Sequence, residues 1–156
     1  MKKLDVLLNT YGESHQNTTN KLIHWICVPA IMFSLVGLVM QIPFPIEKSL
    51  WIHWASILLG GACLYYFTLS KSMAIGFIAI SLLLIWGNFK LDELCEAQGY
   101  QTTFVCIGIF VLAWIGQFIG HGIEGKKPSF LQDIEFLLIG PAWLLHFIYK
   151  KINLPY

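Results

Sequence analysis

The chain has 156 residues, of which 56% are hydrophobic, 15% aromatic and only 12% charged. A soluble domain carries roughly 25% charged residues, so this chain lacks the polar surface to cover a water-soluble core, and its length suits a single domain spanning residues 1–156. Ten lysines, no arginine and nine acids give a net charge of +1, which excludes the basic stripe of a nucleic-acid binder and points to a lipid bilayer.

The first twenty residues are mostly polar and contain no apolar stretch ending in a small-residue cleavage site, so no removable signal peptide is expected. They are read as a short amphipathic N-terminal helix followed by a break at Asn17-Thr-Thr-Asn20, a run suited to capping a new helix. Four apolar stretches follow, near residues 23–40, 50–69, 73–89 and 103–120, none containing Asp, Glu, Lys or Arg. Each approaches the ~20 residues that cross a ~30 Å hydrocarbon core. Pro29, one turn inside the first, is expected to kink it locally. Pro43 and Pro45 mark the first turn, Ser70-Lys71-Ser72 a tight helical hairpin, and the polar stretch 90–101 the third connection. A fifth segment, residues 134–149, carries Gly140-Pro141 at its middle and is expected to kink or re-enter. The fold class is thus an all-α integral membrane bundle of four transmembrane helices, a fifth kinked or re-entrant segment and the N-terminal helix.

Lysine distribution orients these spans. Alternating crossings place Lys2, Lys3, Lys21, Lys71, Lys126 and Lys127 on one side, against Lys48 and Lys90 on the other. The N-terminus is therefore expected in the cytoplasm; re-entry of the fifth segment would add Lys150 and Lys151 to the same side. The cysteines, Cys27, Cys63, Cys95 and Cys106, form no CxxC pair, and neither a disulfide framework nor a cysteine metal site is expected.

Polar groups at membrane depth are costly and so become functional candidates. Of the five histidines, His15, His24 and His121 reach the same membrane face in this topology, whereas His53 lies near the opposite end and His146 joins the trio only on re-entry. Tyr11, Asn20 and Gln117 each stand four residues before a trio histidine, on the same helical face. A metal-bound imidazole usually donates its other N–H to an outer acceptor, a role open to Asn20 and Gln117, while Glu124 could serve likewise or bind metal itself. Gly116-xxx-Gly120 permits a close helix approach just before His121. Each feature alone has a plainer reading: an interfacial anchor, ordinary packing, an aromatic belt, a positive-inside lysine pair. Their coincidence on one face suggests a metal site.

Tyr11-xxx-His15-xxxx-Asn20-xxx-His24-xxxx-Pro29, together with Gln117-Phe-Ile-Gly-His121-xx-Glu124-xxx-Pro128 and the later Gly140-Pro141, resembles the Mpo-like family of small multi-span membrane proteins. The resemblance covers nearly the whole chain. It implies an Fe(II)-dependent dioxygenase that uses O2 to shorten 2-hydroxy fatty acids by one carbon, as in fatty-acid α-oxidation. It assigns His15, His24 and His121 to the family's histidines; beyond what the resemblance implies, His146 or Glu124 is expected to complete or support the set. On this reading Lys126 or Lys127 attracts the substrate carboxylate and Tyr11 orients the oxygen. Imidazole suits Fe(II), and an oxygenase needs open metal positions, which a 2-hydroxy acid could fill through its carboxylate and hydroxyl. No organic cofactor is expected, since the chain has no Gly-rich dinucleotide fingerprint. Competing readings are a zinc hydrolase using the same histidines with Glu124 as general base, and a non-enzymatic membrane transporter or assembly protein. A di-iron hydroxylase would need HxxHH-type clusters, which the sequence lacks.

Overall fold

A computed structural model describes residues 3–13, 15–46, 49–125 and 134–156. Among them the chain is all-helical: α1 Lys3–Glu13, α2 Thr18–Gln41, α3 Trp54–Leu69, α4 Lys71–Ala97, α5 Thr102–Glu124 and α6 Ile134–Lys151. Three of these, α2, α4 and α5, are long and apolar enough to cross a membrane.

The boundaries follow from local chemistry. Asn17 caps α2, its side-chain oxygen accepting from the Thr19 and Asn20 amides at 2.8 and 3.3 Å. Ser70 alone joins α3 to α4: its amide closes α3 on the Tyr66 carbonyl and its hydroxyl accepts from the Met73 amide. Two expected boundaries move. The second apolar stretch becomes helical only at Trp54, because the His53 ring caps α3 by accepting from the Ser56 amide. Its 16 residues span only about 24 Å at 1.5 Å each. Conversely, α4 does not end near Phe89 but continues through the charged stretch to Ala97. No breaker intervenes before Gly99, where φ of +73° and a Tyr100 amide bond to the Cys95 carbonyl form a glycine-type helix stop. Pro29 and Pro141 both lie inside continuous helices.

Burial is inside-out relative to a soluble protein. Leu64, Ile75, Leu83, Phe104 and Leu112 are exposed, whereas Asn20, Ser34, Ser81, Asn88 and Gln117 are buried. In α1, Leu4, Leu8 and Tyr11 recur on one face and join Ile139, Trp143 and Tyr149 of α6 in the main core. The Tyr149 hydroxyl donates to the Ser72 carbonyl at 2.7 Å and the Ser72 hydroxyl to that of Pro155 at 2.8 Å. The chain therefore returns at its C-terminus to the α3–α4 joint.

The most extensive helix contact is α2 on α5. A methyl group placed on Gly120 would lie 2.4 Å from the Asn20 side-chain oxygen, and one on Gly116 would lie 2.6 Å from the Cys27 sulfur. The small-xxx-small stripe thus brings the last turns of α5 against the first turns of α2. Gly120→Ala is expected to destabilise the detergent-solubilised protein by about 1–3 kcal/mol, the usual range for overpacking, read as a drop in Tm. Gly108→Ala, where the methyl meets nothing within 4 Å, should be neutral or raise stability by up to ~1 kcal/mol through helix propensity.

Candidate metal centre

Three elements each deliver one imidazole to a common point. His15 sits in the turn after α1, its amide bonded to the Gly12 carbonyl at 3.0 Å. His24 lies on the buried Asn20–His24–Cys27–Ile31 stripe of α2, and His121 in the last turn of α5. Because the Asn17 cap starts a new helix between them, His15 and His24 both turn inward despite their spacing of nine residues. All three are at most 2% exposed, and each offers a nitrogen within 4.8 Å of the others'. Ring centroids are 4.3 Å apart for His15–His24, 5.1 Å for His15–His121 and 5.0 Å for His24–His121.

The hydrogen bonds fix the tautomers of two rings. His15 Nδ1 donates to the Tyr11 carbonyl at 2.7 Å and His24 Nδ1 to the Asn20 carbonyl at 3.0 Å. A carbonyl accepts only, so in the neutral rings both protons reside on Nδ1 and both Nε2 atoms carry bare lone pairs. These two Nε2 atoms face each other at 2.9 Å, an arrangement of two acceptors that is repulsive unless a cation lies between or beside them. A proton is disfavoured there: burial first, then the nearby His24 and His121 rings, lower the His15 pKa to about 4 against the opposing Tyr11 carbonyl bond and Glu124 charge. Both His121 nitrogens are buried without a hydrogen-bond partner, which costs roughly 1–3 kcal/mol per orphaned group. Three neutral imidazoles with converging lone pairs are the donor set that Fe, Zn, Cu and Ni accept; the residues fit a metal ion.

The outer acceptors are main-chain carbonyls, four residues before each histidine of the first pair. The side chain of Asn20 instead donates to Glu124 at 3.1 Å. The Glu124 carboxylate also accepts from the Gln16 and Asn17 amides at 2.8 and 2.9 Å. It thereby ties the end of α5 to the turn that carries His15 and to the start of α2, and it is not among the three grouped donors. Gln117 is buried against His24. The Tyr11 ring stacks on His15 at 4.3 Å and 11°, and burial pushes its phenol pKa up.

His146 stands outside the group, its Nδ1 meeting the Tyr156 hydroxyl. His53 serves its cap, with Nε2 on the Leu50 carbonyl at 3.0 Å. Lys126 and Lys127 lie outside the described residues. Sequence reasoning missed Trp143, whose buried ring lies 5.2 Å from His15 and 5.6 Å from Tyr11. Its position two residues after Pro141, away from the segment's ends, was the available signal.

Three comparisons with known proteins bear on this site. A family model described as "2-hydroxy-palmitic acid dioxygenase Mpo1-like" matches residues 1–152. The "2-hydroxy-palmitic acid dioxygenase MPO1" of Saccharomyces cerevisiae is 28% identical over 151 residues, covering 95% of this chain and 81% of that protein. No solved structure gives a significant match.

Alanine at His15, His24 or His121 is expected to abolish tightly bound metal, measured by elemental analysis of the purified protein, whereas His53→Ala leaves it unchanged. Full metal retention by all three trio variants would rule out the site. Glu124→Ala should weaken metal binding by roughly 10–100-fold, the usual effect of losing an outer support.

Proposed function

The chain belongs to the Mpo1-like family, and from that membership together with its buried histidine trio we propose that it is an Fe(II)-dependent dioxygenase that cleaves the C1–C2 bond of 2-hydroxy fatty acids. The observation that carries this reading is the pair of bare Nε2 lone pairs held 2.9 Å apart beside the unpartnered ring of His121. Bound Fe(II) would supply Lewis acidity and redox chemistry at open coordination positions.

The reaction balances without another reductant. A 2-hydroxy acid R–CHOH–COOH and O2 give R–COOH, CO2 and water, the substrate's own C1 and C2 supplying the four electrons that O2 takes up. This agrees with the lack of a dinucleotide-binding fingerprint. Within the chain, His15, His24 and His121 hold the metal, Tyr11 and Trp143 wall the site against water beside His15, and Glu124 keeps the three carriers in register. Lys126, two residues after Glu124, attracts the substrate carboxylate. The whole chain forms one membrane domain, with the lysine bias placing its N-terminus and the site at the cytoplasmic face. The acyl chain enters from the bilayer.

A zinc hydrolase with Glu124 as general base fits less well, because the Glu124 carboxylate is already engaged by two backbone amides and the Asn20 side chain. A purely structural membrane protein leaves three buried imidazoles with unused lone pairs.

Protein reconstituted anaerobically with Fe(II) is expected to consume O2 on addition of 2-hydroxy-palmitate and to yield the fatty acid one carbon shorter, detected by mass spectrometry. Chelation should stop the reaction and Fe(II) restore it, with Zn(II) failing to do so. Unchanged chain length, or turnover without oxygen uptake, would overturn the proposal.

A further inference from the structure

Gln117 is 1% exposed on the α5 face that carries His121 one turn later, within an otherwise apolar stretch of that helix. Its carbonyl oxygen is buried and has no hydrogen-bond partner, although the carboxamide lies close enough to the His24 ring to accept a hydrogen bond from it were that ring protonated. The tautomer explains why: the His24 proton is on Nδ1, committed to the Asn20 carbonyl, so that ring has nothing to donate. Neither nitrogen of His121 bonds it either. A buried acceptor in an apolar bundle that the protein itself leaves unpaired is a site for a donor brought by a ligand.

Resting on the dioxygenase reading above, we infer that the Gln117 carbonyl oxygen accepts the hydrogen of the substrate's 2-hydroxyl and so sets the preference for 2-hydroxy over plain fatty acids. The chemistry separates the two ligands cleanly. Both carry a carboxylate and an acyl chain, which offer no donor at neutral pH, and only the 2-hydroxyl brings one. A plain acid would seal the acceptor away from water unpaired, and sites built to bond a hydroxyl reject analogues lacking it far more strongly than apolar pockets reject a missing methylene. Gln117 would touch the substrate directly, in contrast to Glu124, which acts through the backbone.

The test is equilibrium binding of 2-hydroxy-palmitate and of palmitate to the full-length, metal-loaded protein under anaerobic conditions, followed by quenching of tryptophan fluorescence, with metal content measured in parallel. Wild type is expected to favour the hydroxy acid. Gln117→Leu should weaken hydroxy-acid binding at least about tenfold, the scale of one hydrogen bond, strengthen palmitate binding by removing the acceptor that it leaves unpaired, and retain the metal. Gln117→Met, a closer match in shape, should do the same and guards against a folding defect in the leucine variant. An undiminished preference in the folded variants overturns this inference alone. Loss of metal from both variants also overturns it, by making Gln117 a ligand. A wild type with no preference overturns it together with the choice of substrate.

Discussion

One carboxylate holds the site together. Glu124, at the last turn of α5, accepts from the amides of Gln16 and Asn17 and from the Asn20 side chain. Those groups flank the two other histidine carriers: Gln16 adjoins His15, and Asn20 lies one turn before His24. The amides at the start of α2 have no partner within their own helix, and the positive end of the helix dipole favours an anion there. These bonds lie near the surface, where water competes and each contributes less than a buried charged bond, but three of them converging on one carboxylate hold a turn that no regular helix spans. Glu124 reaches this turn only because Gly116 and Gly120 let α5 close on α2.

Burial then decides what the assembled imidazoles can do. The same packing that directs the His15 and His24 Nδ1 protons to main-chain carbonyls presents their Nε2 lone pairs to each other and denies them a proton. In a bundle whose surface is apolar, water is a poor substitute partner, so polar groups left unpaired inside are expensive and are retained for a ligand. The buried polar residues of this chain divide on that criterion. Among the described residues, Ser34, Ser81 and His53 bond their own helix or its cap, whereas His121 and Gln117, and away from the site the Asn88 side-chain oxygen packed near Gly37, are left without a hydrogen-bond partner.

The residues that sequence reasoning singled out were largely those the fold brings together, but the atoms differed. Spacing of four residues marked Asn20 as an outer acceptor for His24, and the bond is made from that position, by the main chain rather than the side chain. Any residue type would supply that carbonyl, so side-chain identity could not reveal it. Glu124 was legible as a carboxylate near His121, but whether it meets a histidine or a backbone amide depends on how far α5 closes on the α1–α2 turn. Trp143 was marked in the sequence only by its place after Pro141, and that signal does not name its partner, because its contact with His15 spans the greater part of the chain. The early start of the second apolar stretch failed for a local reason: hydropathy does not register that the His53 ring caps the helix at Trp54.

The sequence by itself determined the helical class, the apolar segments, the break at Asn17 and the three histidines on one face, because these rest on local composition, capping chemistry and alternation of crossings. Only the tertiary structure decided that α2 and α5 are the helices that close, that Glu124 grips the turn rather than a histidine, and that the Gln117 carbonyl is left without a donor. Those outcomes depend on distances between residues about a hundred positions apart. Such distances are set by backbone approach at two glycines, which no local pattern encodes.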